Sequence, residues 1–397
     1  MNRPLRLLLL AHAFNGLTQR LFTVLREAGH VVTVELDISD AVTEEAVALA
    51  RPDLVIAPFL KRRIPESVWS VRPCLVVHPG PPGDRGPAAL DWAVLRGDAQ
   101  GGVTVLQATG EFDAGPVWAW RALPLRGDAT KASLYRHEVT RAAVDAVLEA
   151  IARFRPGAIG PALPPALPAL QGGWQGPVPA AQRSIDWSSD DSAAVLRKIQ
   201  SADGHPGIAD VLFGQPCRLH DAHPVSAATL ARAPAGSPGE VVGRRGPALL
   251  RRTVDGAVWI GHVRVEASGE RPALKIAATR AFADNCAGLS ELDVPLLRDA
   301  GEWDELHYAE TGPHGARVGW LRFDFHNGAM STRQCERLRD ALRWARTRDT
   351  QVLVLAGGSD FFSNGIHLHD IEASAHDTGD SAADASWRNI NAIDDVV

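Results

Sequence analysis

The chain has 397 residues, of which 45% are apolar and 22% charged, so it can bury sizeable cores, and neither wholesale disorder nor a fibrous repeat is expected. Its formal net charge of −6 comes from 41 basic and 47 acidic residues with no long basic run, which argues against a nucleic-acid footprint. The four cysteines, Cys74, Cys217, Cys286 and Cys335, are too dispersed for a zinc ribbon or a disulfide framework, and they fit a reducing cytoplasm.

The opening places Arg3 and Arg6 before Leu7–Leu10 and Ala11-His12-Ala13. This imitates a signal peptide, but the run is short for one and reads equally well as a buried strand. No stretch approaches the roughly 20 apolar residues of a membrane span. From there to about residue 154 strand-like and helix-like runs alternate: Leu7–Leu10, a helix over 17–28, Val31–Leu36, a helix near 44–50, Leu54–Ala57, Leu75–Val77, a helix near 88–95, Val103–Gln107 and a closing helix over 132–154. This is the βαβ rhythm of a parallel sheet. Six prolines and five glycines between Arg155 and Pro179 then mark a linker, residues 156–182.

Short apolar runs separated by Gly-containing turns follow Ile185-Asp186-Trp187, where Ser188 is expected to cap a helix to about 199. Their spacing predicts a small β-barrel or sandwich over 183–285. After a charged connector, 286–312, the strand Val318–Phe323, a helix capped by Ser331 and the strand Val352–Leu355 predict a third α/β unit, 313–397. Its last stretch, from His376, shows no domain-closing element.

The residues with chemistry in them cluster in the first unit. Strand 75–77 runs into His78-Pro79-Gly80-Pro81-Pro82-Gly83-Asp84-Arg85-Gly86, and ligands in open α/β sheets sit beyond the carboxyl ends of strands. Asp113, in Phe112-Asp113-Ala114-Gly115-Pro116, can face His78 from a neighbouring loop. Taken singly, each reads as a structural histidine or a turn aspartate.

Together these segments resemble the folate-dependent formyltransferases, which act on methionyl-tRNA, glycinamide ribonucleotide or aminosugars. That family carries Asn-x-His-Pro-Ser-Leu-Leu-Pro, an Arg-Gly, a Gly-Val-Thr strand and a Leu-Asp-x-Gly-Pro loop. Here His78-Pro79, Arg85-Gly86, Gly102-Val103-Thr104 and Phe112–Pro116 stand in the same order. The resemblance implies His78 and Asp113 as the catalytic pair, with folate held by Phe59, Leu60, Lys61, Arg62, Ile64, Arg85 and Gly86. It implies a Rossmann-like N-terminal domain and a small OB-like barrel, the latter supported by Ile185-Asp186-Trp187, His205-Pro206-Gly207 and Asp255–Ile260. One departure matters: the family asparagine is Val76 here, which cannot donate to a developing oxyanion, and losing such a donor costs about 10²- to 10³-fold in rate. A thiol acceptor needs less help than an amine, because its thiolate is a strong nucleophile.

The third unit resembles the first half of the crotonase (enoyl-CoA hydratase) superfamily, through Val318–Phe323, Val352–Gly358 and Phe361-Phe362-Ser363-Asn364-Gly365-Ile366-His367-Leu368. The resemblance makes the backbone N–H of Ile366 an oxyanion donor. The second donor of that family falls in a stretch that barely exists here, so little carbon monoxide release is expected. The pair His367-x-His369 has no further ligand near it in sequence, and no metal is expected.

A formyltransferase joined to a crotonase domain is similar to the HypX/HoxX family of hydrogenase maturation proteins, and His78–Ala93, Lys131–Arg136 and Ser386–Asp395 look like that family in detail. The resemblance implies transfer of formyl from N10-formyl-tetrahydrofolate to coenzyme A. Decarbonylation of formyl-CoA then gives carbon monoxide for the [NiFe]-hydrogenase iron. Gln19, in the loop after the first strand, with Lys131, Ser133 and Arg136, become candidates to grip coenzyme A. Partners are then small molecules and hydrogenase maturation proteins, with neither nucleic acid nor membrane. The alternatives are an amine acceptor, or a non-catalytic CoA-binding scaffold.

Overall fold

The computed structural model describes residues 3–155, 172–267, 269, 272–298, 301–377 and 379–396; most of the expected linker, 156–171, lies outside the described residues. The chain divides into two compact units, Met1–Gln182 and Arg183–Val397.

The first unit is built on six strands, β1 (Arg6–Ala11), β2 (Val31–Leu36), β3 (Leu54–Phe59), β4 (Cys74–His78), β5 (Gln100–Gln107) and β6 (Val117–Pro124), in the order β2-β1-β3-β4-β5-β6. The opening apolar run is thus a central strand, with Leu7 to Ala11 essentially buried. Strands β1–β4 are parallel neighbours, whereas β5 runs antiparallel to both β4 and β6. The sheet is therefore mixed and not wholly parallel as expected. The reason is the short return after Gln107: a turn through Gly110–Pro116 can make a hairpin, but it is too short for the crossover that a parallel β6 requires. Helix Thr140–Arg153 lays Ala143, Ala146, Val147 and Ala150 on the sheet, and a π-turn, Tyr135–Val139, interrupts the single helix expected over 132–154.

In the second unit a seven-stranded, largely antiparallel sheet holds β7 (Ile208–Leu212), β8 (Gln215–Pro224), β9 (Val241–Arg245), β10 (Ala248–Arg252), β11 (Ala257–Val265), β12 (Lys275–Ala277) and β13 (Ser290–Glu291). It reaches six residues past the expected boundary at 285, to Glu291, because β13 pairs with β9. The helix Ser192–Ala202 begins later than expected: Asp191 accepts from Ala194 N, whereas Ser188 is tied into a turn by Asp186. An aspartate carboxylate three residues before a free N–H caps as well as a serine.

The remaining sheet orders β14 (Leu306–Thr311), β15 (Val318–Phe323) and β17 (Val352–Ala356); the small pair β16 (Ala329–Met330) and β18 (Gly365–Ile366) stands beside it. Strand β14 falls inside the expected connector, antiparallel to β15, so the third domain starts earlier than residue 313. Helix Thr332–Ala345 crosses from β15 to the parallel β17, started by the foreseen Ser331, whose side chain and that of Gln334 form a capping box. Contrary to expectation, a closing element is present: helix Ala382–Asp394 adds Ala392 and Ile393 to the core of this sheet. Its amphipathic pattern is diluted by Asp384, Asn389 and Asn391, and this hides it in the sequence.

Glu305, just before β14, is buried against helix Thr332–Ala345 and accepts from Gln334 Nε2 and Arg337 Nη1, both at 2.6 Å. Burial outweighs these partners and pushes its carboxyl from 4.5 up to about 7. The fold thus binds this proton more tightly than the unfolded chain does, and stability drains away as pH rises between those two values. Thermal unfolding is expected to begin about 5 °C lower at pH 7.5 than at pH 5, and Glu305→Gln should flatten that dependence; an unchanged slope in the variant assigns the titration elsewhere.

Candidate active site

His78 ends β4, and the next strand holds it in place: His78 lies opposite Thr104, whose hydroxyl donates to Gly80 O at 2.8 Å. The turn after the strand folds back over the ring. Its imidazole is 4% exposed, with Nε2 2.9 Å from Asp84 Oδ1 and Nδ1 3.6 Å from Asp113 Oδ2. The expected pair is therefore together, and a second carboxylate that the sequence reading missed occupies the other ring nitrogen.

Each carboxylate is fixed by a backbone or side-chain donor. Gly86 N donates to Asp113 Oδ2 at 3.0 Å, and Asp113 itself takes a left-handed φ of 52°, a conformation that aspartate tolerates better than most residues. Gln175 Nε2 donates to Asp84 Oδ2 at 3.1 Å while its own carbonyl accepts from Arg96. The segment around Gln175 reaches the loop through paired backbone bonds, Arg85 N to Gly173 O and Gln175 N to Arg85 O. Two glycines make the closeness possible. A Cβ at Gly80 would stand 2.5 Å from His78 Nε2, and one at Gly86, whose φ is 114°, would stand 2.1 Å from Gln175 O.

Val76 shares the strand face of His78 and packs into the apolar cluster of Leu8, Leu10 and Val55. It adds no polar group where the formyltransferases carry asparagine.

The expected folate segment leaves β3 at the switch between β1 and β3, the place where open sheets bind ligands. Phe59 meets Tyr135 and His12 edge to face, and Ile64 is buried. Lys61 is exposed, whereas Arg62 bonds Ile38 O and Asp40 and so ties its loop to a neighbouring helix. Arg85 lies 3.6 Å from Glu111 on the surface. A cavity of about 430 Å³ opens elsewhere, beside Asp84 and Gln175 and against Leu90, Ala93 and Leu123; none of residues 59–64 lines it.

Of the expected coenzyme A residues, Gln19 is not in a loop: it lies in the first turn of helix Gly16–Glu27 and donates to Phe14 O. Asn15, which caps that helix, ends the loop after β1, so the helix begins at Gly16, one residue before the expected start. Lys131 pairs with Asp91 at 2.9 Å, and Ser133 Oγ accepts from Arg126. Arg136 stands in the π-turn, half-buried. Ile366 lies in β18 beside Met330, and His367, next to it, caps helix Leu368–Ser374 by accepting from Asp370 N.

Asp84 is legible after the fact as an acid six residues past the histidine in a loop of prolines and glycines. Gln175 carries no local signal, since it is 91 positions from its partner.

Comparison with known proteins identifies the family. Residues 32–151 match the formyl transferase family, and residues 177–280 match the formyl transferase C-terminal domain. The chain thus carries both domains of a formyltransferase. It is 54% identical over 397 residues to the hydrogenase maturation factor HoxX of Bradyrhizobium diazoefficiens, covering 99% of this chain and 65% of that protein. Crystal structures of HypX from Aquifex aeolicus superpose closely: the complex with tetrahydrofolic acid at a TM-score of 0.87 and 42% identity, and a variant of the same protein at 0.86 and 41%. Both cover 99% of this chain, and respectively 66% and 68% of the HypX chain. The chain belongs to the HypX/HoxX family of hydrogenase maturation factors, and it spans about two thirds of the length of these relatives.

Removing the side chain that holds Asp84 tests the site's construction. Gln175→Leu leaves a buried carboxylate oxygen short of a donor and is expected to cost about 1–3 kcal/mol in urea unfolding; a loss within error would show that Asp84 needs no such support.

Proposed function

We propose that the first unit transfers the formyl group of N10-formyl-tetrahydrofolate to the thiol of coenzyme A. The observation that carries the reading is the buried imidazole of His78 between two carboxylates, at the carboxyl edge of a sheet whose family is that of formyltransferases. Family membership and the tetrahydrofolic acid complex of the Aquifex protein support the folate donor.

In this reaction the thiol sulfur bonds to the formyl carbon, the bond from that carbon to N10 breaks, and the thiol proton ends on N10. His78 is the group placed to carry it, taking the proton from sulfur and giving it to nitrogen through Nδ1, which at 3.6 Å from Asp113 is not hydrogen-bonded to it. Asp84 and Asp113 hold the ring so that it turns toward neither wall, and they oppose the charge that it gains in transit. The apolar Val76 supplies no oxyanion donor, and this favours a thiolate over a poorer amine nucleophile. Folate would lie along Phe59–Ile64 with Arg85 at its rim; Gly86 acts indirectly, through Asp113. Gln19, Lys131, Ser133 and Arg136 remain the proposed contacts for coenzyme A, each of which would exchange or share a bond within the protein. Lys131 and Ser133, engaged with Asp91 and Arg126, also hold the start of their helix.

The product, formyl-CoA, would be decarbonylated to carbon monoxide by a complete crotonase domain, with Ile366 N–H as one oxyanion donor, for delivery to the hydrogenase assembly proteins. No helix among the described residues is long and apolar enough to cross a membrane, and all four cysteines are buried thiols. Both observations support a cytoplasmic place for this chemistry.

Mixing formyl-tetrahydrofolate, coenzyme A and the protein should release tetrahydrofolate, and His78→Ala should slow the release by about 10²-fold or more with an unchanged circular dichroism spectrum. Gly80→Ala, which drives a methyl into His78 Nε2, should cost about tenfold or more. Equal rates in His78→Ala would remove the assignment, and folate release without coenzyme A would turn it toward another acceptor.

A further inference from the structure

A cluster in the second unit lies outside the residues assigned above to formyl transfer. Asp221 in β8, His262 in β11 and His326 in the short turn after β15 place a carboxylate and two imidazoles within 4.8 Å of one another, measured between the atoms able to ligate an ion. Asp221 Oδ2 is 2.7 Å from His262 Nδ1, and Oδ1 is 3.3 Å from His326 Nδ1; the two rings stack with centroids 4.5 Å apart. Side-chain exposures of 12%, 2% and 9% leave the group nearly dry.

The backbone is shaped around this carboxylate. Asp221 holds a left-handed φ of 56°, and a Cβ at Gly261, across from it on β11, would stand 2.1 Å from Asp221 Oδ2. A surface ion pair requires neither, and strain of this kind concentrates at functional sites. A second layer of groups surrounds the three. His223 Nε2 lies 2.8 Å from Asp221 Oδ1, and Lys275 Nζ lies 3.0 Å from His326 Nε2, so carboxylate and ring are each oriented from behind. The His223 bond to the carboxylate is the kind of outer partner that orients a metal ligand, whereas Lys275 must give up a proton before it can accept from His326 Nε2.

We propose that Asp221, His262 and His326 bind a divalent transition-metal ion, zinc first, with an open position for a further ligand. Two imidazole nitrogens and one carboxylate oxygen are the donors that zinc, iron or cobalt select, whereas magnesium and calcium select oxygen alone. On binding, His262 moves its ring proton from Nδ1 to Nε2, while His326 releases its Nδ1 proton to solvent and takes one on Nε2 from Lys275, which becomes a neutral amine. Because Asp221 and His262 belong to the barrel sheet while His326 follows β15, the ion would fasten these two parts of the unit together.

The test uses the full chain without an affinity tag, stripped with a chelator and dialysed against zinc or cobalt. Elemental analysis should find about one ion per chain, and cobalt should give the visible absorption of a four- or five-coordinate ion. Asp221→Asn and His262→Gln should each abolish retention, while His223→Gln, which leaves all three ligands, should weaken affinity about tenfold to a hundredfold. No retained ion in the unsubstituted protein overturns the proposal whatever the variants do. So does equal retention in folded His262→Gln, which would assign the ion to exposed histidines, with the cluster then a hydrogen-bonded knot only.

Discussion

A buried imidazole with a carboxylate at each ring nitrogen is expensive to assemble, because three polar groups leave water at once. It survives only where every remaining lone pair finds a donor. In the first unit two such donors come from separate stretches, the Gly86 backbone amide to Asp113 and the Gln175 side-chain amide to Asp84, while the Thr104 hydroxyl pins the intervening turn through Gly80 O. The rigidity of the loop 78–87, with its prolines and tight glycines, follows from this need. A flexible loop would let the ring rotate away from one carboxylate and leave the other without a partner.

The same logic explains why residues 172–176 belong to the site. They add a short backbone ladder to the loop 78–87, and alternation along an extended segment points Gln175 inward to Asp84 while Trp174 is left 60% exposed beside Phe112. What composition marks as linker is, at its end, a supporting wall. The second unit shows a parallel economy, in which Asp221 serves three histidines and the strand opposite gives up a side chain to let it in.

Much of the site was legible in the chain. The order His78-Pro79, Arg85-Gly86, Gly102-Val103-Thr104 and Asp113-x-Gly115-Pro116 fixed which residues meet, since each lies at a strand end or in a turn whose chemistry is local. Asp84 and Gln175 escaped because their roles depend on distance in space and not on spacing. The helix Ala382–Asp394 and strand β14 escaped for a different reason: their buried residues are sparse among polar ones, and only the neighbouring helix Thr332–Ala345 and sheet give those few a core to enter. Lys131 and Ser133 show the converse: side chains that look free in the sequence are bonded within the protein to Asp91 and Arg126.

Sequence alone determined the alternation of elements, the family and the pair His78 and Asp113, because hydrophobic period, turn residues and motif order are properties of neighbouring positions. Only the tertiary structure decided what closes on that pair, which strands run antiparallel, and that Asp221, His262 and His326 share one buried volume. Those outcomes depend on long-range packing, where side chains tens to hundreds of residues apart compete for the same few ångströms, and no local pattern records who wins.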